Sequence, residues 1–348
     1  MNELPAVREL GVELDPATGG PPPDLRHRVH LRFTDSPAKT QRRRWRGPVG
    51  WSLATSGALA AGLAVALIVG GSGGGAGHGP RGRTGDSKLT ANEVLMRAAA
   101  QVRANPTPVP RADQLLYVES IQAFPDGNTM TDVRPKIREV WLSIDGTHDG
   151  LIREKALPGR PVPPMLNVNV PLPGCRGGKE AVVDQHDKVR PDQFQDCEAR
   201  PAYQPDLPTD GDAMFALLRK KAGGNEVAMF TEVEGLVHER YLTSAQLAAL
   251  FEATSRLSRV VVVPDVVDLN GRHGIAVAWL VPPFDPELKS WDKPPVAQQQ
   301  LIFDPTTYAY LGFQQVTLVA KDGHQPGETV WGSAELKKAI VDKVDQRP

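Results

Sequence analysis

Residues 49–71 read VGWSLATSGALAAGLAVALIVGG, without a single Asp, Glu, Lys or Arg. Hydrocarbon offers no partner to a charged group, and about 20 uncharged residues is the length that crosses a bilayer as a helix. The stretch is therefore expected to form one transmembrane helix. It divides the chain into a short cytoplasmic arm (1–48), the span itself (49–71), a Gly-rich linker (72–88) and an extracytoplasmic domain (89–348). A cleaved signal peptide would carry a shorter leading segment and a clear small-residue cleavage site after the apolar run. Trp45 and Trp51 stand near the start of the span, where amphipathic rings favour the headgroup layer.

The flanking charges set the direction. Lys39, Arg42, Arg43, Arg44 and Arg46 crowd the leading end, and with Arg32 they make six basic residues. Within about 20 residues after the span there are only Arg81, Arg83 and Lys88. The excess places the N-terminus in the cytoplasm and the C-terminal domain outside. Before Pro48 there are nine Lys and Arg against six Asp and Glu, a net +3; the whole chain carries −1, so the rest carries −4. A neutral to acidic body lacks the basic face that phosphate binding needs, which argues against nucleic acid as a partner. The basic excess sits instead where it would face the anionic headgroups of the bilayer.

Cys175 and Cys197 lie in the C-terminal part, in flanks (Pro-Gly-Cys-Arg-Gly and Gln-Asp-Cys-Glu) too polar for buried thiols. A disulfide between them is the favoured reading; closing a loop of that size is worth about 3 kcal/mol. Two distant cysteines do not make a metal site.

The arm carries Leu4, Val7, Leu10 and Leu14 on one helical face, a Pro/Gly break at 16–23, and Leu25, Val29 and Phe33 at a second helical spacing. Neither segment is long enough to be stable alone, so the arm is read as largely disordered. The body opens at Thr90, with Glu93 three residues on as a capping box. Strand alternation follows at 115–123, 137–144 and 151–157, then an irregular Pro-rich stretch at 158–208 that the disulfide would staple. Helical patterns occupy 209–221 (capped by Thr209), 226–240 and 243–257. Strands return at 260–263, 266–269, 275–281, 301–303, 310–319 and 338–344, with Asn270-Gly271 as a hairpin signal. Strands, then helices, then strands imply an α+β domain with a mainly antiparallel sheet, a half-barrel being one form of it.

Outside the Gly-rich stretch 70–85, whose glycines resemble phosphate-binding loops only superficially, no Gly-x-Ser-x-Gly, His-Glu-x-x-His, Walker or Rossmann pattern occurs, so no catalytic, cofactor or metal residue is nominated. His27 and His30 lack accompanying cysteines. His148 with Asp149, and His186 with Asp184 and Asp187, read as turn and loop residues; the acids at 184, 187, 192, 196 and 198 lack calcium-loop spacing. His238-Glu239 reads as an ordinary helix end. Trp141, Trp279 and Trp331 read first as core, second as the lining of an apolar cavity.

The segment Leu301-Ile302-Phe303-Asp304-Pro305-Thr306-Thr307-Tyr308-Ala309-Tyr310-Leu311-Gly312 has the logic of strand, reversal and returning strand. Together with Glu139-Val140-Trp141-Leu142-Ser143-Ile144-Asp145-Gly146, Leu207-Pro208-Thr209-Asp210 and Val341-Asp342-Lys343-Val344 it resembles a family of single-pass membrane proteins of high-GC Gram-positive bacteria. Members of that family are often encoded beside an extracytoplasmic-function sigma factor. More distantly, the strand-turn-strand units resemble the lipoprotein-carrier half-barrel. The resemblance implies a non-enzymatic transmembrane regulator or sensor whose arm, residues 1–33, touches a cytoplasmic protein such as a sigma factor. The arm has no cysteine, and so lacks the His…Cys-x-x-Cys zinc pattern of one class of sigma-factor inhibitors. An envelope protein anchored to hold a lipid or lipoprotein is the alternative.

Overall fold

The computed structural model describes residues 89–124, 134–158, 168–282, 294–321 and 323–348. The stretches expected to form the arm, the span and the linker, and the five basic residues expected to set the topology, lie outside them. Among the described residues no helix is long and apolar enough to cross a membrane.

Helix α1 (Ala91–Ala104) begins where Thr90 and Glu93 satisfy each other's backbone N–H groups, at 2.7 and 3.2 Å. Its Val94, Leu95, Ala98 and Ala99 are fully buried on one face, the spacing that a 3.6-residue period requires. Four strands follow as a meander: β1 (Leu115–Ala123), β2 (Lys136–Ser143), β3 (Gly150–Ala156) and β4 (Val168–Leu172). A separate two-stranded hairpin comes next, β5 (Lys179–Val183) with β6 (Val189–Asp196). Helices α2 (Gly211–Lys221), α3 (Glu226–Val237) and α4 (Ser244–Thr254) precede a second meander. It contains β7 (Val260–Val267), β8 (His273–Val281), β9 (Ala297–Phe303), β10 (Tyr310–Thr317) and β11 (Thr329–Val341).

The two meanders are one sheet. Its order is β4-β3-β2-β1-β11-β10-β9-β8-β7, antiparallel throughout, and the join is β1 against β11 from Leu115↔Val341 to Ala123↔Gly332. Side chains alternate between its faces as the pleat demands. On the helix side, Val277, Trp279, Leu301, Phe303 and Phe313 pack with α1, α3 and α4. In the first meander that face presents Leu116, Val118, Val140 and Ile152 to Ala202 and Tyr241. The opposite face buries Leu115, Tyr117, Trp141 and Val341 at one end, and Val266, Ala276 and Ile302 at the other. The α+β class and the mainly antiparallel sheet are as the sequence implied.

Several boundaries differ. The stretch 158–208 is not irregular: it holds β4 on the main sheet and the whole β5–β6 hairpin. Pro171 and Pro191 hid these strands, because proline is tolerated only where no ladder hydrogen bond is needed, at an edge or a bulge. The cap of α2 is Asp210, not Thr209; its carboxylate accepts from the N–H groups of Asp212 and Ala213. Helix α3 stops at Val237, short of 240. The segments expected at 260–263 and 266–269 form one strand that ends at Val267 and is interrupted by a bulge at Val263/Val266, residues 268–269 belonging to the turn, and β11 starts nine residues before the expected 338.

Candidate functional site: a buried charged node and the groove beside it

Helix α3 ends by turning back on the sheet. Its C-cap is His238, and Glu239 takes φ +50, a left-handed conformation that costs a non-glycine residue on the order of 1 kcal/mol. The turn drives the Glu239 carboxylate onto the inner face of the first meander, where Arg138 of β2 meets it. Arg138 donates from Nε to Oε1 at 2.6 Å and from Nη2 to Oε2 at 3.2 Å. Its remaining Nη1 donates to Glu154 Oε1 at 2.7 Å, and Lys136 Nζ holds Glu154 Oε2 at 2.9 Å. The sheet register makes this geometry: Arg138 stands opposite Glu154 on β3, and Lys136 opposite Gln122 on β1. Gln122 donates to Glu239 at 2.9 Å and lies 2.9 Å from His238 Nε2.

All four charges are almost wholly withdrawn from water, between 2 and 6 % exposed. Burial alone would push the Glu239 carboxyl up, but the Arg138 guanidinium outweighs it and holds the group down at about 2. Burial likewise opposes charge on Arg138, and Glu239 and Glu154 reverse that and raise its affinity for the proton. Burial lowers His238, chiefly against the pull of Glu239, which fits a neutral ring accepting from Gln122. The node is thus two cations and two carboxylates in mutual satisfaction, a clamp between the helix layer and the first meander.

Beside it a groove of about 200 Å³ opens between α1, the end of α3, α4 and strands β10 and β11. Val102, Leu236 and Leu247 form apolar walls, and Arg240, Lys338 and Glu335 stand at its lip. Lys338 ties the lip together, donating to the Val237 carbonyl at 3.1 Å and pairing with Glu335 at 2.6 Å. A cation on the last carbonyls of α3 complements the helix dipole. Tyr310 lines the groove with its hydroxyl pushed up by burial, and by the charges of Glu335 and Glu234. Glu234 is buried with no hydrogen-bond partner at Oε1, and burial raises its carboxyl well above the usual range.

Cys175 and Cys197 are joined in a disulfide, their Cα atoms 5.9 Å apart. The bond closes the root of the β5–β6 hairpin. Cys175 N–H donates to the Gly146 carbonyl and Cys197 N–H to that of Gly178, both at 3.0 Å. Lys179–Asp196 and Arg190–Asp184 pairs brace the hairpin, and Phe194 projects from it 62 % exposed. His186 and Asp184 sit in its turn and His148 bonds Asp145 in another, as the sequence implied. Among the described residues no three His, Cys, Asp or Glu side chains gather to hold a metal. Trp141 and Trp279 are both core but on opposite faces of the sheet, so they line no common cavity. His27 and His30 lie outside the described residues. The charged node went unread in the sequence, although Lys136 and Arg138 alternate with Ile137 in a strand, a pattern that can send both charges to one face.

These features define an α+β domain: a nine-stranded antiparallel sheet, helices on one face, and a disulfide-rooted hairpin. No protein-family model matches the chain, and no curated protein matches it. Among solved structures, the Pseudomonas aeruginosa MucA/MucB complex aligns over 72 % of this chain and 56 % of that one, at 10 % identity and a TM-score of 0.23. The chain thus spans little more than half the length of that neighbour.

Proposed function

We propose that the chain is a single-pass membrane regulator without catalytic activity. Its C-terminal domain works outside the cytoplasmic membrane as a sensing or binding module, and residues 1–33 engage a cytoplasmic partner, a sigma factor being the first candidate. The Cys175–Cys197 disulfide carries this reading. Disulfides persist in oxidising compartments, and this one lies on the C-terminal side of the span, opposite the basic cluster 39–46. The interior charges support a non-catalytic role, since Arg138, Lys136, Glu154 and Glu239 are spent on one another and not aimed at an open cavity. The alternative, carriage of a lipid or lipoprotein, wants more room than the groove offers. Sites that enclose even drug-sized ligands run to roughly 300–1,000 Å³, against about 200 Å³ here.

Thiol labelling of intact cells tests the compartment. Cys175 and Cys197 should react with a membrane-impermeant maleimide only after reduction, while a cysteine placed at Ser36 stays protected until the cells are opened. Labelling of position 36 in unopened cells reverses the topology. Recovery of the same proteins by the intact chain and by a chain lacking residues 1–33 removes the arm from the scheme.

A further inference from the structure

On the sheet face turned away from the helices, Trp141 and Tyr117 are both fully buried. The segment 342–348 leaves β11 and folds back over them, with Val344 packed into their cluster. Two of its contacts are directional. The indole Nε1–H of Trp141 donates to the Gln346 carbonyl at 2.7 Å. The Arg347 guanidinium grips the Glu139 carboxylate with two prongs, from Nε to Oε1 and from Nη2 to Oε2, and its carbon lies 5.5 Å from the centre of the Trp141 ring. A carboxylate beside an aromatic face matches a planar, forked guanidinium better than an ammonium. Glu139 is itself buried and held in place by Tyr117 at 3.1 Å and Lys155 at 2.8 Å. The segment that fills this site is lightly held. Five of its seven residues are exposed, and Val344 and Gln346 are half-buried. Asp342 pairs with Arg111 at 3.0 Å and Asp345 with Arg153 at 2.6 Å, but ion pairs so near the surface contribute little. Asp345 also sits at φ +66, a left-handed conformation that favours glycine.

We infer that Glu139, Trp141 and Tyr117 form an arginine-recognition site that residues 342–348 occupy as a displaceable strap, and that an extended protein segment carrying an arginine takes the site in exchange. Without cover, the Trp141 and Tyr117 rings would face water, so the strap is exchanged rather than simply lost. The strap shows what an incoming segment must supply: a backbone carbonyl for the indole N–H, and an arginine directly after it for Glu139. Arg153, whose guanidinium carbon lies 5.3 Å from the centre of the Trp141 ring, stands free to pair with an acid of the new occupant once Asp345 has gone. The site belongs to the folded domain alone, and its chemistry is the same with or without the span and the arm.

The test uses the full-length chain, with a fluorescent peptide copying residues 342–348 as the probe and anisotropy as the readout. Arg347→Ala keeps the strap but empties the guanidinium position, and should bind the peptide roughly tenfold more tightly than the unaltered chain, whose own strap competes. The unaltered chain should still bind it at about 1 mM, the range in which a tethered segment competes with a free one. A peptide with lysine in place of the arginine should bind Arg347→Ala about tenfold more weakly, since an ammonium lacks the fork. Free arginine, which has no preceding carbonyl, should compete more weakly than the peptide. Adding Glu139→Gln to Arg347→Ala should remove binding while the Cys175–Cys197 disulfide still forms, which reports that the domain has folded. A chain ending at Val341 should behave as Arg347→Ala does; should it fail to fold, Arg347→Ala decides. Equal binding by Arg347→Ala and the unaltered chain, equal binding of the lysine peptide, or binding untouched by Glu139→Gln overturns the inference. Absence of binding by the unaltered chain at about 1 mM makes the strap a fixed seam and overturns the exchange.

Discussion

Arg138 on β2 and Glu239, 101 residues further along, form a two-pronged ion pair in which both side chains are about 94 % buried. The pair fastens the turn after α3 to the half of the sheet that α3 does not cover. Taking two charges out of water costs several kcal/mol per ion, so such a pair adds little net stability, but removing one partner strands the other. Its contribution is to fix where the helix layer ends on the sheet.

Arg138→Met should therefore be far worse than its size suggests. It leaves Glu239 and Glu154 buried with Lys136 as the remaining cation of the node. The expected loss is about 3–5 kcal/mol, read from urea unfolding. Arg138→Met combined with Glu239→Leu should recover part of it, because the stranded carboxylate goes too. A double variant weaker by the sum of both single losses would show that the residues do not act as a pair.

Acid should weaken the fold through these carboxylates. Glu239 is held at about 2, against an ordinary value of 4.5. Glu139 is also held at about 2: burial opposes this, but hydrogen bonds from Arg347, Lys155 and Tyr117 prevail. A folded pKa below the unfolded one means that the stabilisation is complete above about pH 4.5 and fades as pH falls toward 2. Thermal midpoints should drop steeply across that window. In Glu239→Gln the drop should be shallower, starting from a lower midpoint at pH 7.

Glu234 has the opposite sign. Burial raises its carboxyl well above 4.5, so the folded state holds the proton more tightly than the unfolded state does. The cost of this site is absent below about pH 4.5 and grows as pH rises toward the folded value. Glu234→Leu removes a buried acceptor that has no partner, and should stabilise the chain by about 1 kcal/mol or more at pH 8. At pH 4 the gain should shrink. An equal gain at both pH values would mean that the carboxyl is not the cause.

What was legible in the sequence was local. Thr90 with Glu93 caps a helix because the reciprocal bonds span only three residues; the same box at Thr243 and Gln246 went unread. The range 115–123 matched β1 to the residue, and Asn270-Gly271 marked its turn, with Gly271 at φ +78. The pairing of β1 with β11 was not legible, since no short-range rule joins Leu115 to Val341. The first nine residues of β11 were missed because Ser333-Ala334-Glu335-Leu336-Lys337 has helical propensity, which pairing with β1 and β10 overrides. The node escaped for the same reason as the β1–β11 join: Arg138, Glu154 and Glu239 become neighbours only through register and through the left-handed turn at Glu239.

Gly146 joins the turn after β2 to the root of the hairpin, and its cost of substitution can be separated into two parts. Its φ is +79, and a Cβ there would stand 2.5 Å from the Arg200 backbone nitrogen. Gly177, in the hairpin, has φ +59 and nothing within 4 Å of the same position. Gly177→Ala should cost only the left-handed strain, about 1 kcal/mol. Gly146→Ala should cost that and also push residues 200–201 off the turn, about 3 kcal/mol in all. Because Cys175 N–H bonds the Gly146 carbonyl, the damage should spread to the disulfide-rooted hairpin. Limited proteolysis should then cut Gly146→Ala between 176 and 200 while sparing Gly177→Ala; equal cutting of both would mean that the hairpin does not lean on Gly146.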